Sequence, residues 1–305
     1  MTGVFAGFAT IGVVVGVGIL LGHLRLVDQS GQRTLSTVAF YVASPALLFT
    51  TLQDSDVRAL FSGNLVAIAG AIVVTVVLNV SVLAVRRTDL GTGVVATLSS
   101  SYCNGGNLGL PIAFYVLGDA ALVVPVLLIQ LLLLQPLALT LLDVAVSPTR
   151  LSVGRVLLRP LKNPITVGSG LGLVVALTGV DVPSVVADPV ELLGAMAVPA
   201  MLVAYGVALR LGPLPGRGVP AYDLGLAVGL KLLVQPAAAY VIGSLLGLDD
   251  GALLAVTVLS ALPTAQNVFV IAQRYDRAVL LARDAIFVST VACVPVVIVV
   301  VALLG

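Results

Sequence analysis

Apolar runs long enough to cross a bilayer follow one another through the whole chain, and few folds tolerate that pattern. A crossing helix needs about 20 consecutive apolar residues. Ten such spans are predicted, at 4–22, 34–52, 63–85, 92–117, 120–143, 164–180, 190–210, 221–246, 251–273 and 279–304. With 59% hydrophobic and only 10% charged residues, the 305-residue chain has too little charged surface for a soluble domain. The expected class is an all-α integral membrane protein. The longest connection divides it into residues 1–145, a loop at 146–163, and 164–305. A net charge of +1 argues against a nucleic-acid partner. Cys103 and Cys293 both lie in apolar spans and suit reduced thiols better than a disulfide framework. Residues 1–22 lack a basic leader segment, so they are expected to be a retained first helix.

The basic residues set an orientation. Arg25, Arg33, Arg86, Arg87, Arg150, Arg155, Arg159, Lys162, Arg210, Arg217, Arg274, Arg277 and Arg283 all fall at one side, 13 of the 15 Lys and Arg. The other side has Arg58 alone, and Lys231 lies within a span. Positive loops stay in the cytoplasm. The central loop is therefore expected inside, and both termini outside the cell membrane.

The fourth span cannot be one continuous helix. Gly105, Gly106 and Gly109 weaken it, Pro111 removes a donor and crowds the preceding turn, and Asn104 and Asn107 bring amides to membrane depth. Broken backbone at that depth is tolerated only against protein or a water-filled cavity. The ninth span is interrupted as well, by Pro263, and both spans run from Asn to Tyr in eight steps: Asn107 to Tyr115 and Asn267 to Tyr275. Pro45 in the second span and Pro199 in the seventh predict kinks at corresponding places. Five spans per half is an odd number, so a repeat between the halves must be inverted.

Paired, interrupted spans in two halves point to a solute site. The second half of a broken helix starts with unpaired N–H groups and the positive end of its dipole, which suits an anion. Pro111 and Pro263 are each expected to open such a half-helix. Asn104, Asn107, Gln266 and Asn267 can add neutral donors, although Asn and Gln also glue helices together. Gln130, near the middle of the fifth span, can line the site or serve as glue; Gln135, one and a half turns on, is predicted to face elsewhere. Lys231 either snorkels to the cytoplasmic face or acts as a counter-charge for the solute.

With these residues in place, the sequence resembles the auxin efflux carrier family, which also includes bacterial malate and malonate carriers. The resemblance rests on Asn104-x-Gly106-x-x-Gly109-x-Pro111, on Ala261-Leu262-Pro263, and on Phe269-Val270-x-Ala272-x-x-Tyr275. Pro45-Ala46-Leu47, Asn163-Pro164 and Pro199-Ala200 add weaker matches. It implies ten helices as two inverted five-helix repeats, with the fourth and ninth crossing at broken points. It also implies a scaffold of helices 1, 2, 6 and 7 beside a mobile part made of helices 3–5 and 8–10. Asn104 matches the family's crossover asparagine, proposed to hold a carboxylate, and Gln130 a site-lining glutamine. The long central loop of the plant exporters is missing here.

The leading expectation is a secondary carrier that exports small organic anions by alternating access, auxin-like or dicarboxylic, with Asn104, Gly106, Asn107, Gly109, Pro111, Gln130, Pro263, Gln266 and Asn267 at the site. All acidic residues are predicted in loops or within about a turn of a span end, so no obligatory proton or sodium partner is expected. The alternative is a sodium- or proton-coupled symporter or antiporter on a similar crossed-helix plan. A single His and no acidic or Cys cluster leave no enzyme, metal site or cofactor in the reading. Lipid, the anion and a second copy of the chain are the partners it admits.

Overall fold

The computed structural model describes residues 2–54, 63–147 and 163–305. Arg58, Arg150, Arg155, Arg159, Lys162 and most of the 146–163 loop lie outside them. All regular structure among the described residues is helical. In chain order the helices are α1 (Thr2–His23), α2 (Gln29–Gln53), α3 (Gly63–Val85), α4 (Leu90–Ser101), α5 (Leu110–Tyr115), α6 (Val124–Ala145), α7 (Pro164–Thr178), α8 (Ser184–Leu211), α9 (Ala221–Leu245), α10 (Asp250–Ser260), α11 (Asn267–Tyr275) and α12 (Val279–Leu304). Six of them, α2, α3, α6, α8, α9 and α12, are long and apolar enough to cross a membrane. The fourth predicted span is the pair α4 and α5, and the ninth is α10 and α11.

Short polar caps start several helices. Asp89 Oδ1 accepts from Thr92 N at the head of α4, and Asp249 Oδ1 accepts from Ala252 N at the head of α10, so both broken helices begin the same way. The N–H bonds hold the Asp89 carboxyl below the ordinary carboxylate range. Asn163 caps α7, with Pro164 at its first position.

Among the described residues a π turn occurs at four places, within α2 at Ala39–Ala43, leading into α5 at Gly105–Gly109, within α6 at Gln130–Leu134 and within α9 at Leu230–Val234. Each ends two residues before a proline: Pro45, Pro111, Pro136 and Pro236. A proline ring crowds the carbonyl four residues back and leaves it without a donor. Widening the turn before it by one residue takes up that conflict. The wide bonds are present, from Ser44 N to Ala39 O, Gly109 N to Asn104 O, Gln135 N to Gln130 O and Gln235 N to Leu230 O. The kink at Pro45 is thus a π turn. At Pro199 the device differs: α8 is interrupted at Met196, three residues before the proline.

The helices sort into two packed groups. α1 lies along the second half of α8, and α2 along α7 and the first half of α8. These contacts are backbone-close. A Cβ on Gly206 would stand 2.2 Å from Val15 O, and one on Gly168 would stand 2.4 Å from Pro45 O. Close approach through small residues is how helices associate where lipid offers no hydrophobic drive. The other group joins α3, α4, α6, α9, α10 and α12. The short second halves α5 and α11, together with α6, make most of the contacts between the groups.

Candidate functional site

The two breaks meet. Tyr102–Asn104 and Pro263–Ala265 run antiparallel as short extended pieces, with Asn104 N donating to Pro263 O at 2.8 Å and Ala265 N to Tyr102 O at 3.1 Å. Thr264 adds two links, its Oγ1 donating to Ser99 O at 2.6 Å and its N accepted by Ser289 Oγ at 3.1 Å. In this way irregular backbone at membrane depth finds its partners within the protein.

The same pairing corrects the expectation for Pro263. It does not open a half-helix. Its neighbour Thr264 is drawn into the extended pairing, so α11 starts only at Asn267 with Gln266 as its cap residue. Pro111 does stand in the first turn of α5.

A cavity of about 270 Å³ lies at the crossing, between the two helix groups. Asn104, Gly105, Gly106, Gln130, Gln135, Gln266 and Asn267 line one side, with Tyr102 and Cys103. Phe40, Ser44, Leu47 and Leu48 of α2, Ile165 of α7, and Val198 and Met201 of α8 line the other. Among the described lining residues there is no charged side chain. The walls are apolar and the polar groups are amides, the hydroxyls of Ser44, Thr51 and Tyr102, the turn that leads into α5 and the start of α11.

Gln130 is 1% exposed and holds the first break in shape. Its Oε1 accepts from Cys103 N and its Nε2 donates to Cys103 O, as a neighbouring strand would. Gln135 is its companion. It accepts from Tyr102 OH at 2.6 Å and from Asn267 Nδ2 at 3.3 Å on one oxygen, Oε1. Asn267 Oδ1 is buried and takes no hydrogen bond among the described residues.

Of the residues singled out from sequence, Asn104, Gly106, Gln130, Gln266 and Asn267 line the cavity. Gly109 does not; it packs where a Cβ would meet Val123 and Leu262. Asn107 is within the Gly105–Gly109 turn, but its side chain and that of Pro111 lie outside the described residues. Lys231 is fully buried and absent from the cavity lining, so neither snorkelling nor direct counter-charge describes it. Gln135 was predicted to face away and in fact lines the cavity. The π turn is the reason. At about 100° per residue, positions five apart diverge, but a π turn closes its bond at five, which returns Gln135 to the face of Gln130. Tyr102 is a further lining residue; its signal in the sequence is a polar aromatic inside a break, whose hydroxyl needs a partner.

One acidic residue also departs from expectation. Asp284, five positions past the start of α12, is 0% exposed. It is paired with Arg283 at 2.6 Å and accepts from Gly216 N at 2.8 Å. It is not among the lining residues of the crossing cavity. Among the described residues no group of three His, Cys, Asp or Glu is placed to hold a metal ion.

A multi-pass helical membrane protein with two broken helices meeting at an amide-lined cavity has the build of a solute transporter, in which discontinuous helices form the binding site. The family model described as "Membrane transport protein" matches residues 4–145 and 142–301. The chain belongs to this family, the auxin efflux carrier family, and is a transporter and not an enzyme. It is 30% identical over 271 residues to a proposed malonate transporter of Rhizobium meliloti (strain 1021), covering 84% of this chain and 83% of that one. It is 29% identical over 283 residues to an uncharacterized transporter of Methanothermobacter thermautotrophicus, covering 92% and 91%.

Proposed function

We propose that the chain is a secondary transporter of small organic anions, and that dicarboxylates such as malonate bind at the crossing. The observation that carries this is the cavity itself: the Gly105–Gly109 turn that leads into α5 and the start of α11 stand at its wall, and its polar lining is made of neutral amides and hydroxyls. Helix starts present the positive end of the dipole and free N–H groups, so a carboxylate is held without a buried Arg or Lys beside it. The name of the R. meliloti relative supports malonate as the first solute to try.

In this reading the chain crosses the cell membrane ten times as two inverted five-helix repeats, residues 1–145 and 164–305, with α4/α5 and α10/α11 as the fourth and ninth crossings. The basic ends face the cytoplasm and both termini face out. α1, α2, α7 and α8 form the fixed body. The rest rocks against it, and the cavity between the groups opens to either side in turn. Asp284 is held by Arg283 and Gly216, which supports transport with no obligatory proton or sodium partner. The membrane potential then supplies about 2.3 kcal/mol per charge per 100 mV, directed toward export when the inside is negative.

Uptake of labelled malonate into proteoliposomes with the potential clamped tests this. The expected result is saturable uptake that follows the malonate gradient and the potential. No malonate transport, or accumulation driven by a sodium or proton gradient alone, contradicts it.

A further inference from the structure

The side of the crossing away from the cavity carries the opposite ends of the broken helices. α4 ends at Ser101 and α10 ends at Ser260. The last carbonyls of a helix lack donors of their own and bear the negative end of its dipole. Two side chains of α9 meet both ends. The Lys231 ammonium, 0% exposed, donates to Ser260 O at 2.8 Å and to Gln235 Oε1 at 2.8 Å. Gln235, also 0% exposed, donates its Nε2 to Ser101 O at 3.2 Å. Neither ion pair among the described residues involves Lys231. Ser260 Oγ is buried there with no hydrogen-bond partner among them, so a further oxygen stands on the same residue.

An ammonium buried without a carboxylate is costly. What offsets the cost here is the end of α10 and the Gln235 amide oxygen, with Gln235 in turn holding the end of α4. In transporters built from broken helices, such ends and unwound carbonyls are where a sodium ion is held. We propose that Lys231 is a resident cation: its ammonium fills the place of an exchangeable sodium ion and ties the two half-helices into one crossing. It is a positioning residue, on the far side of the crossing from the solute. The α9 π turn just before Pro236 sets the pair, since it carries both Lys231 and the wide bond to Gln235.

The test is melting temperature in nanodiscs, in sodium, ethylammonium and choline media, without any solute. It therefore stands or falls apart from the anion reading. Wild type is expected to melt alike in all three. Lys231→Ala is expected to fall by roughly 5–10 °C in choline, and sodium or ethylammonium should restore it saturably, as a ligand of the folded state does. Lys231→Met fills the space with an apolar chain, so it should fall and stay low. If Lys231→Ala does not fold in choline, extraction with and without ethylammonium decides: folding only with the cation supports the proposal, and folding in neither overturns it. Sodium stabilisation of wild type, an undiminished Lys231→Ala, a loss that no cation repairs, or equal recovery of Lys231→Met also overturns it.

Discussion

The two sides of the crossing are built from the same two broken helices and have opposite characters. On one side the second halves begin, at α5 and α11, and a cavity of about 270 Å³ is open to them. On the other the first halves end, at Ser101 and Ser260, and the space is closed by Lys231 and Gln235. The difference follows from helix polarity. Starts attract negative charge and ends attract positive charge. Lys231 and Gln235 satisfy the ends from within the chain, whereas the starts suit the proposed anion.

The sharpest way to break that contrast is to remove the group that shapes the open side. Gln130 satisfies both the N–H and the C=O of Cys103 at full burial. Gln130→Leu keeps the volume, strips the Cys103 N–H of its partner and leaves the Cys103 C=O to Gly105 N alone, and should cost about 1–3 kcal/mol in stability. Denaturation in nanodiscs measures it. A loss under about 0.5 kcal/mol would mean that the break holds its shape without the side chain.

A smaller effect is expected one step out. Tyr102→Phe removes the hydroxyl donated to Gln135 at 2.6 Å and should cost about 1 kcal/mol. It also frees Gln135 Oε1, which Asn267 Nδ2 shares at 3.3 Å, so Asn267 should be held more firmly and malonate affinity should change less than twofold or so. A drop in affinity as large as that of an asparagine variant would place Tyr102 on the solute itself.

Much of this is legible in the sequence. Spacing of apolar runs located the helices, and the glycines, Pro111 and Pro263 located the breaks. Asn104, Gln130, Gln266 and Asn267 were identified because amides at membrane depth need a reason. What stayed hidden depended on geometry that regular periodicity cannot supply. Gln135 faces the cavity only because a π turn precedes Pro136. Pro263 opens no helix because its neighbour pairs with Cys103 across the crossing. Asp284 looked like a residue near a helix end, and only the loop at Gly216 folding over it, with Arg283 beside it, makes it buried. Lys231 is informative only once Ser260 is known to end a helix beside it.

If an anion binds where the two second halves begin, malonate affinity depends on Asn104 and Asn267. Calorimetric titration of malonate into the purified protein, with Asn104→Ala and Asn267→Ala alongside wild type, tests it most directly. Wild type is expected to bind, and binding is expected to weaken by roughly 1–3 kcal/mol in each variant, with the fold retained. Malonate affinity equal to wild type in both variants would contradict it, and would return the two asparagines to holding helices together.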